Sequence, residues 1–322
     1  MKIAVIGLGS MGKRRIRLIK EMYPDYLING IDGREDRRIE AAEQFGIPCF
    51  DQLANVDEDL DCVFVCTSPL SHNAIIRDAL LRDLHVFTEL NLVPDGYQEN
   101  MLLAKEVRKT LFLSSTFFYR EEIRYIRSKV SNDKRWNYSY HIGQYLPDWH
   151  PWESYKDFFL GDKRTNGCRE IMAIELPWLT GTFGEVDKVH VLCDKLTGLN
   201  IDYKDNFIIQ IQHKNGNKGS LIVDVVSPVA VRKLEVYSEG AYISWNGTPD
   251  SVAEFDATSK KLVPVTLSEQ TEHMEGYSAF VVENAYKIEI QEFFNVINGI
   301  SLAQYGFDQD MKVLKLIDTI GA

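Results

Sequence analysis

Six residues, Gly7-Leu8-Gly9-Ser10-Met11-Gly12, constrain this chain more than any other stretch. They follow the apolar run Ile3-Ala4-Val5-Ile6, suited to a buried parallel strand, and precede Lys13 to Met22, where Ile16, Leu18, Ile19 and Met22 recur roughly once per helical turn. Strand, glycine turn and helix in that order predict a phosphate-binding βα unit. Gly7 makes the turn, Gly9 lets backbone approach a pyrophosphate, and Gly12 lets helix pack closely on strand. The first helical amides, Ser10 and Met11 among them, then face the phosphates. Glycine turns also arise for steric reasons alone, so the context carries the reading. A second apolar strand, Leu27 to Ile31, runs into Asp32, about twenty residues past Gly12. A carboxylate there accepts hydrogen bonds from ribose hydroxyls and repels a 2′-phosphate, which favours NAD over NADP. Arg34, Arg37 and Arg38 oppose that preference if a guanidinium reaches back to the phosphate; otherwise they form a solvated first helical turn.

The length of 322 residues makes two domains the expectation, and the apolar fraction of 45% with 26% charged residues is that of a globular chain. A net charge of -11 argues against nucleic acid or an anionic membrane as partner. The first strand begins at Lys2 and no segment approaches membrane-span length, so a cytoplasmic location is expected. Five scattered cysteines, Cys49, Cys62, Cys66, Cys168 and Cys193, predict reduced thiols and no metal site.

Alternating strand and helix patterns run to about residue 118 and predict a doubly wound parallel sheet. The loop Thr67-Ser68-Pro69-Leu70-Ser71-His72 follows a buried strand, Asp61 to Cys66, at the sheet edge where a cofactor would lie. His72 either touches ribose or nicotinamide there or bonds its own helix backbone. Further on come the strand His85 to Thr88 and then Glu89-Leu90-Asn91. From Tyr119 the pattern changes to period-two alternation, as in Trp136 to Ile142 and Phe207 to Gln212, with turn signals at Asn215-Gly216-Asn217 and Glu239-Gly240. This predicts a largely antiparallel sheet in a second α/β domain spanning 119–322, one face of it available to a second subunit. A homo-oligomer follows. Two helices, Val281 to Asn298 and Asp308 to Ile320, are predicted to end the chain.

Gly7 to Gly12, Asp32, the 67–72 loop, Glu89, the mixed second domain and Phe307-Asp308 together resemble the Gfo/Idh/MocA oxidoreductase family. The resemblance implies an N-terminal Rossmann domain, a C-terminal α/β domain with a large open sheet, tightly held NAD(P), and a sugar, cyclitol or polyol derivative as substrate. The homo-oligomer expected from the open sheet face is a homodimer or homotetramer assembled through that sheet. The stretch from Gly143 to Glu153, GQYLPDWHPWE, is similar to members working on sugars or sugar nucleotides for surface polysaccharides.

The chain departs from the family's pattern at the chemistry. The family's Glu-Lys-Pro motif, whose lysine assists proton transfer at the substrate hydroxyl, reads Glu89-Leu90-Asn91, and leucine cannot take a proton. Counting from Gly167, the family's Asp falls at Ile171 and its His at Ile174 or Glu175. Either the acid/base has moved or the chain binds nucleotide without catalysis. Candidates for a moved group are Glu175, Lys163, His150 and Tyr145. Apolar Ile171, Ile174 and Leu176 would raise the pKa of Glu175; alternatively it pairs with Arg169 or Arg120. Lys163 reads equally as a solvated loop residue, and His150 and Trp152 as loop packing. For substrate, the resemblance points to Arg120, Tyr145, His150 and Trp152, with Arg120 either holding a carboxylate or phosphate or pairing with Glu121 or Glu122.

Overall fold

The computed structural model describes residues 1–322 apart from 57–58, 132, 150–153, 268–279 and 281. The chain divides into two compact units, residues 1–115 with 286–311, and residues 116–285 with 312–322. A single cut between 118 and 119 differs from this division, because the stretch from Tyr286 to Met311 groups with the N-terminal unit.

The first unit begins with β1 (Lys2–Ile6), α1 (Ser10–Met22), β2 (Leu27–Ile31), α2 (Glu35–Phe45) and β3 (Cys49–Phe50). It continues through β4 (Cys62–Val65), α3 (His72–Leu81), β5 (His85–Thr88), α4 (Tyr97–Glu106) and β6 (Leu111–Leu113). The six strands lie in the order β3-β2-β1-β4-β5-β6, every pair parallel. Strand order reverses between β1 and β4, so the loops leaving their carboxyl ends flank a crevice. α1 starts at Ser10, three residues before Lys13, because Gly9 takes extended backbone and acts as N-cap, with Lys13 N–H donating to its carbonyl at 3.0 Å. α2 ends where Gly46 turns left-handed at φ 61°.

Register explains why residues 286–311 belong here. Phe64, Phe87 and Phe112 sit side by side across β4, β5 and β6. Their rings stack at 4.7 and 5.4 Å, and Phe293 meets all three edge-on at 5.2 to 5.6 Å. Such pairs add about 0.5–1.5 kcal/mol each beyond their buried area.

The second unit contains α5 (Glu121–Lys129), β7 (Asn137–Gly143), α6 (Gly167–Phe183), β8 (Val186–Asp194), β9 (Asn206–His213) and β10 (Lys218–Asp224). β11 (Val231–Ser238), β12 (Ala241–Trp245), β13 (Ala253–Asp256) and β14 (Lys261–Pro264) follow. These strands form an eight-stranded sheet in the order β14-β13-β12-β11-β7-β10-β9-β8. Neighbours are antiparallel except β7 and β10. The predicted hairpins stand at Gly216 and Gly240, whose φ angles of 90° and 70° suit glycine. Tyr138, Tyr140 and Ile142 bury one face of β7 while Asn137 and Ser139 stay exposed, and α6 packs on the buried face at β9 and β10. α7 (Glu283–Ile297) and α8 (Phe307–Ile320) close the chain.

Among the described residues no helix is long and apolar enough to cross a membrane, and no group of three His, Cys, Asp or Glu is placed to hold a metal ion.

Candidate cofactor and active site

The three motif glycines answer to different demands. A Cβ on Gly12 would stand 1.9 Å from the Gly7 carbonyl oxygen, and one on Gly7 2.7 Å from the Cys66 carbonyl, at a φ of 94° that side chains avoid. The fold itself requires both glycines. A Cβ on Gly9 would meet nothing nearer than the Arg37 guanidinium at 3.7 Å, and its φ of −75° suits any residue. The protein's own packing leaves that position open, which fits a cofactor whose pyrophosphate comes against bare backbone. Ser10, Met11 and Gly12 form the first turn of α1, so their amides lack intrahelical acceptors and point toward that space.

Asp32 is fixed beside this turn. One carboxylate oxygen accepts from Leu8 N–H at 2.8 Å and the other from Arg34 N–H at 2.9 Å. The Arg34 side chain, expected near a ribose phosphate, instead pairs with Asp36 at 2.5 Å in an exposed position. Arg38 donates to the carbonyls of Asp32 and Gly33, and an Arg37 nitrogen lies 3.7 Å from the Asp32 carboxylate.

Across the crevice, Thr67, Ser68 and Pro69 lead into α3, with Ser71 Oγ donating to Thr67 Oγ1 at 2.8 Å. His72 is 2% exposed and both ring nitrogens are engaged, Nδ1 with Asn91 Oδ1 at 2.5 Å and Nε2 with the Thr67 carbonyl at 2.9 Å. Burial lowers its pKa although these two partners oppose the shift. This geometry makes His72 a tie between the loops after β4 and β5. Asn91 supplies the side-chain partner of Nδ1.

Glu89 is held rather than presented. Arg15, fully buried on α1, donates to its two oxygens at 2.6 and 3.3 Å, and also to Glu289 at 2.7 Å and Ser114 Oγ at 3.2 Å. Glu289 accepts as well from Ser115 N–H at 2.7 Å. The Arg15 guanidinium rests on Phe87 and Tyr286. Arg15 and Glu289 escaped the sequence reading, yet each lies four residues before a buried apolar one, Ile19 and Phe293. A charge on a buried stripe calls for a partner.

In the second unit the structure corrects the expectation for Glu175 and gives Arg120 the acid partner that was its alternative reading. Glu175 is fully buried, but its carboxylate is not in an apolar surround. One oxygen accepts from Tyr140 Oη and Trp178 Nε1, each at 2.7 Å, and the other meets Arg232 at 2.7 Å. Neither expected arginine is its partner: Arg169 pairs with Asp318 at 2.7 Å, and Arg120 with Glu122. Arg120, 3% exposed, also donates to the carbonyls of Phe280 at 3.0 Å and Gly247 at 2.8 Å. Its donors are spent inside the protein, which leaves no fork for a substrate anion. Arg232 comes from β11, more than fifty positions from Glu175, and nothing in the local pattern pairs them.

Lys163 is exposed on a short 3-10 turn and lines a cavity of about 530 Å³ with Lys195, Asp202, Tyr203 and Lys204. Tyr145 is partly exposed, its amide bonded to the Ser227 carbonyl at 2.6 Å. His150 and Trp152 lie outside the described residues. Glu170, missed because spacing pointed to Ile171, is partly exposed on the first turn of α6, and burial pushes its carboxyl up to about 7.

Residues 1–114 match the model of the oxidoreductase family with an NAD-binding Rossmann fold. Inositol 2-dehydrogenase of an Arthrobacter species is 31% identical over 101 residues, 30% of this chain and 30% of that one. The chain matches about a third of the length of its curated relatives. Among solved structures, UDP-N-acetylglucosamine 3-dehydrogenase GnnA from Acidithiobacillus ferrooxidans superimposes with a TM-score of 0.77 at 15% identity, covering 99% of this chain and 96% of that one. The WlbA dehydrogenase from Chromobacterium violaceum, in complex with NADH and UDP-GlcNAcA, gives 0.79 at 13% identity over 100% and 92%. These structures share the fold of the whole chain. With the glycine turn and Asp32 arranged as described, residues 1–114 are similar to the NAD-binding Rossmann domain of the Gfo/Idh/MocA oxidoreductase family.

Proposed function

We propose that the protein is an NAD(P)-dependent oxidoreductase, NAD preferred, acting on a sugar, sugar-nucleotide or polyol derivative in the cytoplasm, as a step toward surface polysaccharide. The observation that carries the cofactor half is Gly9, where the fold would accept a side chain and a pyrophosphate would not. The substrate class is supported by the sugar-nucleotide dehydrogenases among the structural neighbours.

Bound nicotinamide supplies the hydride acceptor or donor. The protein must then move the hydroxyl proton, and neither Leu90 nor Ile171 can do so. Glu175 is occupied by Arg232, Tyr140 and Trp178. Glu170 is the better acid/base: it sits near the family's acidic position, retains some exposure, and titrates near neutrality. Lys163 and Tyr145, both reachable by solvent, are the next candidates. Assaying a panel of sugars and sugar nucleotides with NAD and NADP, in both directions, tests the reading; hydride transfer to none of them favours the alternative of a silent nucleotide-binding protein. That alternative draws support from the buried engagement of Glu175 and from Leu90, and Leu90→Lys would then gain nothing.

Assembly through the eight-stranded sheet belongs to the same proposal. Its open face carries Leu192 opposite Ile208, Tyr237 opposite Tyr242, and Leu262, with Leu192 72% exposed. Sedimentation should give a dimer or tetramer, and Leu192→Asp should weaken it.

A further inference from the structure

We propose that Arg37 opens the adenosine end of the cofactor site to NADPH as well as NADH by offsetting the charge of Asp32 against a 2′-phosphate. This rests on the cofactor reading above and names the forms the site accepts. Three arginines follow Asp32, and the structure gives them different work. Arg34 turns outward to Asp36, and Arg38 is bonded to the carbonyls of Asp32 and Gly33 at 2.8 and 3.0 Å. Arg37 is different. One of its guanidinium nitrogens lies 3.7 Å from the Asp32 carboxylate and 3.7 Å from where a Cβ on Gly9 would stand. The guanidinium therefore spans the ribose-binding acid and the bare backbone of the glycine turn.

At 3.7 Å the contact with Asp32 is longer than a hydrogen bond, so it holds by charge and is readily exchanged for a better partner. The Arg37 side chain is 35% exposed and can move with a ligand, whereas Asp32, 9% exposed, is anchored by the amides of Leu8 and Arg34. Those two amides leave further lone pairs on the carboxylate for the ribose hydroxyls of NADH. With NADPH the 2′-hydroxyl becomes a phosphate and Asp32 faces like charge. A planar guanidinium with five donors, already beside that carboxylate, matches a phosphate and cancels the repulsion.

The test is fluorescence titration of the full chain with NADH and with NADPH, for wild type, Arg37→Ala and Arg37→Lys, folding being checked by circular dichroism. Wild type should bind both forms within roughly tenfold of each other. Arg37→Ala should weaken NADPH about tenfold to a hundredfold, the worth of a charge-assisted hydrogen bond, and NADH less than about threefold. Arg37→Lys should recover part of the NADPH loss. Added salt should weaken NADPH more steeply than NADH in wild type, with the difference reduced in Arg37→Ala. Equal losses for the two cofactors in Arg37→Ala, or a wild type that binds NADH and rejects NADPH, would overturn the proposal. A folded wild type that binds neither would overturn the cofactor reading itself.

Discussion

Replacing Glu175 with leucine tests whether this carboxylate is structural. The substitution keeps the volume roughly constant but removes the acceptor for Tyr140 Oη and Trp178 Nε1 and the counter-charge for Arg232, whose side chain is 12% exposed. Breaking one side of a buried ion pair costs about 3–5 kcal/mol, and each orphaned buried donor adds about 1 kcal/mol or more, with overlap among these costs. A loss of about 5 kcal/mol is expected, a large share of the roughly 5–15 kcal/mol that a folded domain has. Glu175→Gln keeps an oxygen for Tyr140 and Trp178 and should cost about 2 kcal/mol, the worth of the charge alone. The double variant Glu175→Leu with Arg232→Met removes both charges and should recover about 2 kcal/mol relative to the single one. Urea unfolding, followed by tryptophan fluorescence and circular dichroism together, reads these differences at constant slope. A Glu175→Leu protein within about 1 kcal/mol of wild type, or a double variant no more stable than the single one, would refute the structural assignment. Lost turnover with unchanged stability would return Glu175 to the catalytic candidates.

Gly9→Val should fold and fail to bind NADH, while Gly12→Ala, whose Cβ would stand 1.9 Å from the Gly7 carbonyl oxygen, should disrupt the fold; circular dichroism with NADH titration separates the two outcomes. Burial lowers the pKa of His72 and of His213 from 6.5, so the unfolded chain binds protons there that the folded chain does not. Stability should accordingly fall as pH drops through 6.5, and melting temperatures at pH 7.5 and 5.5 that agree would count against neutral buried histidines. Glu170 has the opposite sign: its carboxyl is raised from 4.5 to about 7, so the folded state keeps a proton that the unfolded state has released, and stability declines as pH rises between those values. Glu170→Gln should flatten that decline and, once a substrate is found, remove the limb near pH 7 from the kcat/KM profile with at least a roughly hundredfold loss of rate.

Local sequence determined a good deal of this protein. The apolar run before Gly7 and the amphipathic run after Gly12 specify strand and helix; glycine at 12 is dictated by the Gly7 carbonyl within that one βα unit, whereas glycine at 7 answers to its own positive φ and to the Cys66 carbonyl beyond β4. Gly46, Gly216 and Gly240 mark their turns because positive φ is cheap only for glycine. The place of Asp32 directly after β2, about twenty residues beyond the turn, was legible because the apolar run that makes the strand ends there. The partners of the charged groups were not legible, since pairing is a property of three-dimensional proximity. Glu175 shares α6 with Arg169, a plausible partner in sequence, yet the tertiary structure brings Arg232 to it from β11. Arg15, Glu89, Ser114 and Glu289 meet only because parallel strands and a distant helix converge on one point. The aromatic row Phe64, Phe87 and Phe112 likewise depends on register between strands more than twenty residues apart, and Phe293 completes it from near the end of the chain. Period and turn chemistry act over a few residues and are written in the sequence; register and charge pairing act across the whole chain, and only the tertiary structure decided them.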